Sequence, residues 1–144
     1  MKDLNQGLFD FIAGSPTCFH AVHSAAEKLE QAGFCRLNEG NAWKLEAGKG
    51  YYVIRNQSSL IAFRMPKTLG CFMIAAVHTD SPCFRLKDNA TVQAEGYSKL
   101  DANKYGGMIF STWLDRPLSV AGRVFVAGKD GKPEAKLVNL KKDL

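Results

Sequence analysis

Apolar residues recur at three- and four-residue steps in the first third of the chain and then switch to alternation, so helices are expected before strands. Leu4, Leu8, Phe9, Phe11 and Ile12 keep helical spacing until Gly14 breaks it, which predicts a short amphipathic helix. Ser15-Pro16-Thr17 then offers cap chemistry and a proline suited to a first turn. Phe19, Val22, Ala26 and Leu29 carry the same period up to Gly33, predicting a second helix from about Pro16 to Ala32. Beyond Gly33 come four short β-rich runs, Phe34 to Leu37, Trp43 to Leu45, Tyr51 to Arg55 and Ser59 to Phe63, separated by Gly, Asn and Ser. The pair YYVIRN and SSLIAF reads as a hairpin around Asn56-Gln57, with the turn type left open by the absence of Asn-Gly.

The stretch Cys71 to Val77, CFMIAAV, is apolar at every position, the pattern of a strand covered on both faces. It ends abruptly in His78-Thr79-Asp80-Ser81-Pro82, which would set His and Asp at the carboxyl edge of a sheet, where open α/β sheets bind ligands. Short strands follow around Phe84 to Leu86 and Thr91 to Ala94, then a glycine-rich stretch from Lys104 to Met108. Ser119 to Ala127 and Ala135 to Val138 flank Gly128-Lys129-Asp130-Gly131 as a second hairpin, so a mostly β region is expected from near residue 100. No internal repeat or low-complexity segment interrupts this order.

Composition narrows the class. A chain of 144 residues with 46% apolar positions can bury about 70% of the surface it exposes when unfolded, enough for one core without staples. No apolar run nears the roughly 20 residues of a bilayer span, and the N-terminus lacks a signal peptide's basic start and cleavage site; a soluble cytoplasmic protein is expected. Cys18, Cys35, Cys71 and Cys83 contain no CxxC and read as reduced, mostly buried thiols. Nineteen Lys and Arg against fourteen Asp and Glu leave a formal charge of +5. The cations are scattered, with small clusters only at Lys136, Lys141 and Lys142 and at Lys129 and Lys132. They therefore read as solvated surface rather than a nucleic-acid groove.

Among residues that could carry chemistry, His78 and Asp80 stand two apart, so an extended backbone projects both to one side. A histidine that binds a divalent metal through one ring nitrogen needs the other held, and a carboxylate two residues on can hold it. The alternative is a hydrogen-bonded histidine at a strand end. His20 and His23, at i and i+3 on the second helix, read as packing residues beside Phe19 and Val22, since no HExxH companion exists. Asp115-Arg116 after Trp113 is either a bridging carboxylate or a structural ion pair, the latter favoured because no second histidine or glutamate pair lies nearby. Gly106-Gly107 supplies a tight turn without a Walker lysine, and no GxSxG is present.

Taken together, SPTCFHAV from Ser15, the AGF of Ala32 to Phe34, YYVIRNQSSLIAF from Tyr51, AVHTDSPCFRLK from Ala76 and YGGMIFSTWLDRPLSVAGRV from Tyr105 resemble the M18 metallo-aminopeptidases, also called aspartyl aminopeptidases. The segments occur in the family's order over most of the chain, and HTDSPC with YGG…TWxDRxLSxAGRV is far more specific than HxD alone. Met108-Ile109-Phe110 and Pro117 depart from the usual form of the last segment.

The resemblance implies a two-zinc exopeptidase that removes an N-terminal residue, acidic (Asp or Glu) in well-known members, from peptides with a free N-terminus, using metal-activated water. His78 matches the family's zinc-ligand histidine. Asp80 matches its catalytic aspartate, which orients groups at the metal site without binding zinc itself. The family's bridging aspartate, Glu-Glu pair and final zinc-binding histidine have no match here, and members are about three times longer. The chain is therefore expected to be an N-terminal portion that is inactive alone. Residues 1–100 would be the first part of a zinc-exopeptidase α/β sheet domain and residues 101–144 the start of an inserted β-rich dimerisation domain. Asp115 falls in that insertion and drops out as a ligand. The complete enzyme would be a homo-oligomer with neither nucleic acid nor membrane as partner. A noncatalytic binding or assembly module of the same family is the alternative, with a basic nucleic-acid binder behind it.

Overall fold

A computed structural model describes residues 2–68 and 70–142. In chain order its elements are α1 (Lys2–Ala13), α2 (Cys18–Gln31), β1 (Cys35–Arg36), β2 (Gly50–Arg55), β3 (Ser59–Arg64), β4 (Cys83–Ala94), β5 (Tyr97–Tyr105), α3 (Ser111–Leu114), β6 (Ala121–Ala127) and β7 (Pro133–Asn139). They form a mixed α/β fold of three small sheets, ordered β1-β2-β3, β4-β5 and β6-β7. The chain divides into two compact units, one of residues 1–80 with 120–141, the other of residues 81–119 with the end of the chain. Asp143 and Leu144 of the lysine-rich tail lie outside the described residues.

Both helices follow their apolar periods, but they differ in burial. α2 opens on Thr17 rather than on Pro16: the Thr17 side chain accepts from the His20 backbone N–H, satisfying one of the free donors of the first turn. It closes on Gly33, whose φ of +80° lets the Gly33 N–H reach Glu30 O and the Phe34 N–H reach Leu29 O, both at 2.9 Å. That is a Schellman closure, and it needs a left-handed residue at this one position. The inner face of α2 contributes Val22 and Ala26, which with Tyr51, Tyr52 and Val53 of β2 form the buried core. α1 forms as expected, yet Leu4, Leu8, Phe9 and Ile12 stay exposed.

β2 is central in its sheet, parallel to β1 and antiparallel to β3. The β2–β3 turn resolves the type left open by the sequence: Asn56 and Gln57 take φ of 51° and 58°, the left-handed pair of a type I′ turn. Trp43 to Leu45, expected as a strand, is a loop. Trp43 is held there by donating its indole N–H to Asn38 O at 2.7 Å and by stacking on Phe63.

In the second unit β4 and β5 make a long antiparallel ribbon, irregular between Leu86 and Thr91 and turned at Glu95-Gly96, where both residues have positive φ. The two short strands expected after Pro82 are thus one strand, and the mostly β region expected from near residue 100 already starts at Cys83. β6 and β7 pair as the expected hairpin. None of the four thiols is buried, contrary to expectation: Cys35 and Cys71 are exposed and Cys18 and Cys83 half-buried, all unpaired.

The largest correction concerns Cys71 to Val77, expected as a buried central strand. It is not a strand, and Phe72, Met73, Ile74 and Val77 are 86–95% exposed. A strand covered on both faces requires neighbours at its edges and layers above and below, and no sheet of the described residues includes this stretch. Ile74→Asp is accordingly expected to change the urea-unfolding free energy of the chain by no more than about 0.5 kcal/mol, the range of an exposed site. A loss of several kcal/mol would mean that the stretch is buried after all.

Candidate metal centre

The polar residues that follow this apolar stretch come together as the sequence predicts. His78 Nδ1 lies 3.0 Å from Asp80 Oδ1, so the ring N–H on that side donates to the carboxylate and the Nε2 lone pair is the one left for a ligand. The His78 side chain is 91% exposed and that of Asp80 33%, so the imidazole stands in open solvent while its orienting partner is partly covered. The expectation that His78 sits on the rim of a buried strand is overturned; its pairing with Asp80 stands. Between them Thr79 is half-buried, and its Oγ1 donates to Ser58 O at 2.8 Å.

The donor chemistry fits one ligand of a zinc site: a neutral imidazole with its second nitrogen held by a carboxylate. Among the described residues, no group of three or more His, Cys, Asp or Glu is placed to hold a metal ion. His20 and His23 are engaged elsewhere. His20 Nδ1 lies 2.8 Å from Thr17 Oγ1, and His23 Nε2 lies 3.4 Å from Glu27 Oε1 one turn on. Burial, and then the neighbouring His23, hold the His20 imidazole below its ordinary pKa. Asp115 makes the expected exposed ion pair, its Oδ1 accepting from Arg116 Nε at 2.9 Å. That hydrogen bond lowers the carboxyl pKa, so no bridging role is needed to explain the residue.

A groove of about 560 Å³ in the first unit is lined by Phe19, His23, Glu27, Tyr52 and Leu137 among others, and neither His78 nor Asp80 borders it. At its base Tyr52 is fully buried and its hydroxyl donates to Glu30. Burial first, and then this hydrogen bond, push the phenol pKa up to about 12. Sequence reasoning missed the Tyr52–Glu30 and Thr79–Ser58 contacts, which join residues 22 and 21 positions apart.

The family described as aminopeptidase I zinc metalloprotease (M18) matches residues 11–144. The chain belongs to the M18 family. It is 49% identical to a probable M18 family aminopeptidase 2 of Pseudomonas paraeruginosa, over 97% of this chain and 33% of that protein. Among solved structures it is similar to mApe1 of Chaetomium thermophilum, with a TM-score of 0.83 and 36% identity over 94% of this chain and 32% of the other. It is also similar to the chain of the Saccharomyces mApe1 dodecamer, with a TM-score of 0.77 and 29% identity over 96% and 34%. The chain therefore spans about a third of the length of the relatives it matches. The stretch from Ser15 through the YGG and AGRV segments lies within the matched residues.

Proposed function

We propose that this chain supplies the first part of a zinc-dependent aminopeptidase that removes N-terminal, acidic residues from peptides, with His78 as one zinc ligand and Asp80 as the carboxylate that fixes its ring. The observation that carries the reading is the 3.0 Å His78–Asp80 pair, which leaves Nε2 facing solvent in a family described as zinc metalloproteases. Bound zinc, two ions in the complete enzyme, supplies Lewis acidity toward the scissile carbonyl and toward water. His78 offers the Nε2 lone pair, and Asp80 keeps the proton on Nδ1 so that the lone pair points outward. Structural and catalytic zinc sites use three or four protein ligands, and among the described residues no such group accompanies His78, so on this reading the other ligands and the general base are supplied from elsewhere in the enzyme.

On this reading residues 1–100 belong to the catalytic domain and residues 101–144 open an inserted dimerisation domain. Similarity to a chain of a dodecamer supports a homo-oligomer. Unpaired thiols agree with a reducing cytoplasm.

The 144-residue chain, loaded with zinc, is expected to show no turnover of aspartyl or leucyl p-nitroanilide. Turnover that His78→Ala abolishes would refute the partial-site reading. A chimera in which these residues replace the matching third of the Pseudomonas relative is expected to hydrolyse the aspartyl substrate and to lose at least about a hundredfold on His78→Ala. Undiminished activity of that variant would refute the role of His78. A second reading, a noncatalytic assembly module, is favoured by the exposed Phe72-Met73-Ile74 surface. A discrete, zinc-independent oligomer in sedimentation would support it.

A further inference from the structure

We propose that Thr79 and Arg123 are positioning residues for the His78–Asp80 pair, acting through the β2–β3 turn. This inference rests on the reading of His78 as a zinc ligand.

The stretch that carries His78 belongs to no sheet of the described residues, so the orientation of the imidazole needs another anchor. Thr79 provides one. The backbone bends at Thr79, whose side chain is half-buried where that of His78 is exposed. Its hydroxyl donates to the carbonyl of Ser58, directly after the Asn56-Gln57 turn.

That carbonyl is a useful anchor only if the turn is rigid, and the turn is unusual: two consecutive non-glycine residues in the left-handed region persist only where the surroundings over-determine them. Arg123 of β6 supplies that constraint. Its Nη1 donates to Asn56 O at 2.7 Å and reaches Asn56 Oδ1 at 3.4 Å. The guanidinium also lies 4.1 Å from the Phe19 ring centroid and 5.2 Å from that of Phe125, so it is stacked as well as hydrogen-bonded. A continuous line of contacts thus runs from Arg123 to the turn, from the turn to Thr79, and from Thr79 to the pair on either side of it.

The test uses the full chain and two readouts on His78 itself: its side-chain ¹⁵N spectrum at alkaline pH, which reports the tautomer, and titration of its own ring resonance with zinc. In the parent chain the Nδ1–H tautomer should dominate. Thr79→Val is expected to mix the tautomers and to weaken zinc binding at His78 by about three- to tenfold, below the 10–100-fold that losing a direct partner of a ligand costs. Thr79→Ser should retain the parent behaviour, and Arg123→Gln should move both readouts in the same direction as Thr79→Val. Should Thr79→Val lose its dispersed amide spectrum, Arg123→Gln decides alone.

A parent tautomer and an unchanged zinc midpoint in both Thr79→Val and Arg123→Gln would overturn the proposal while leaving His78 as a ligand. Absence of any zinc response at His78 in the parent chain would instead overturn the zinc reading, and the tautomer data would still judge the positioning.

Discussion

Tyr52→Ala should cost about 3–5 kcal/mol and unfold much of the first unit at ordinary temperature. The ring is fully buried against α2, and truncating a buried aromatic loses its transfer free energy and leaves a cavity. Tyr52→Phe keeps the ring and removes only the hydroxyl that donates to Glu30, so a loss of about 1–2 kcal/mol is expected. The two variants also separate in their pH dependence. The folded phenol holds its proton up to about pH 12, against 10.0 for the free group, so the folded state binds that proton more tightly than the unfolded one. Its contribution is complete below pH 10 and is lost as pH rises from 10 to 12. At about 1.4 kcal/mol per pKa unit it amounts to about 2–3 kcal/mol. Chemical denaturation across that window should show a fall in the parent chain that is smaller by this amount in Tyr52→Phe. Parallel curves would mean that Tyr52 titrates as an ordinary phenol.

Gly50→Ala should destabilise the chain by about 1–3 kcal/mol, although alanine is generally preferred to glycine in a strand. The position does not use glycine's left-handed freedom. It uses the missing side chain: a Cβ built on Gly50 falls 2.7 Å from two carbons of the Phe34 ring, closer than real Cβ contacts come. Phe34 is fixed from behind, because its N–H closes the Schellman motif on Leu29 O and Arg64 lies over its ring at 5.1 Å. The ring can therefore yield only by disturbing the end of α2 or the cation–π contact. A double-mutant cycle with Phe34→Ala checks the cause: the double variant should be more stable than the sum of the single losses predicts. Strict additivity would show that the cost of Gly50→Ala arises elsewhere.

The parts of this fold that were legible in the sequence are those fixed by neighbours in the chain. α2 could be read from Val22 and Ala26 at helical spacing, with Thr17 and Gly33 as its ends. The hairpins could be read from alternation around short turns. His78 and Asp80 could be paired from their spacing of two, although the backbone bends at Thr79 between them rather than running extended. β5 was not legible, since SKLDANK is too polar to alternate; only the Glu95-Gly96 turn hints at it. CFMIAAV was read correctly as a segment that demands cover and wrongly as one that has it, because composition states the demand and not what meets it. The bonds from Thr79 to Ser58 and from Arg123 to Asn56 join residues 21 and 67 positions apart, and nothing local in the sequence encodes them.

The first unit is discontinuous, and vectorial synthesis gives that a consequence in time. Residues 1–80 leave the ribosome well before residues 120–141, the hairpin that completes the unit. At about 5–20 residues per second, the intervening stretch and the hairpin take about 3–12 s to emerge. For those seconds the turn at Asn56-Gln57 has no guanidinium to hold it, so the Ser58 carbonyl that anchors Thr79 is set only after β6 has emerged.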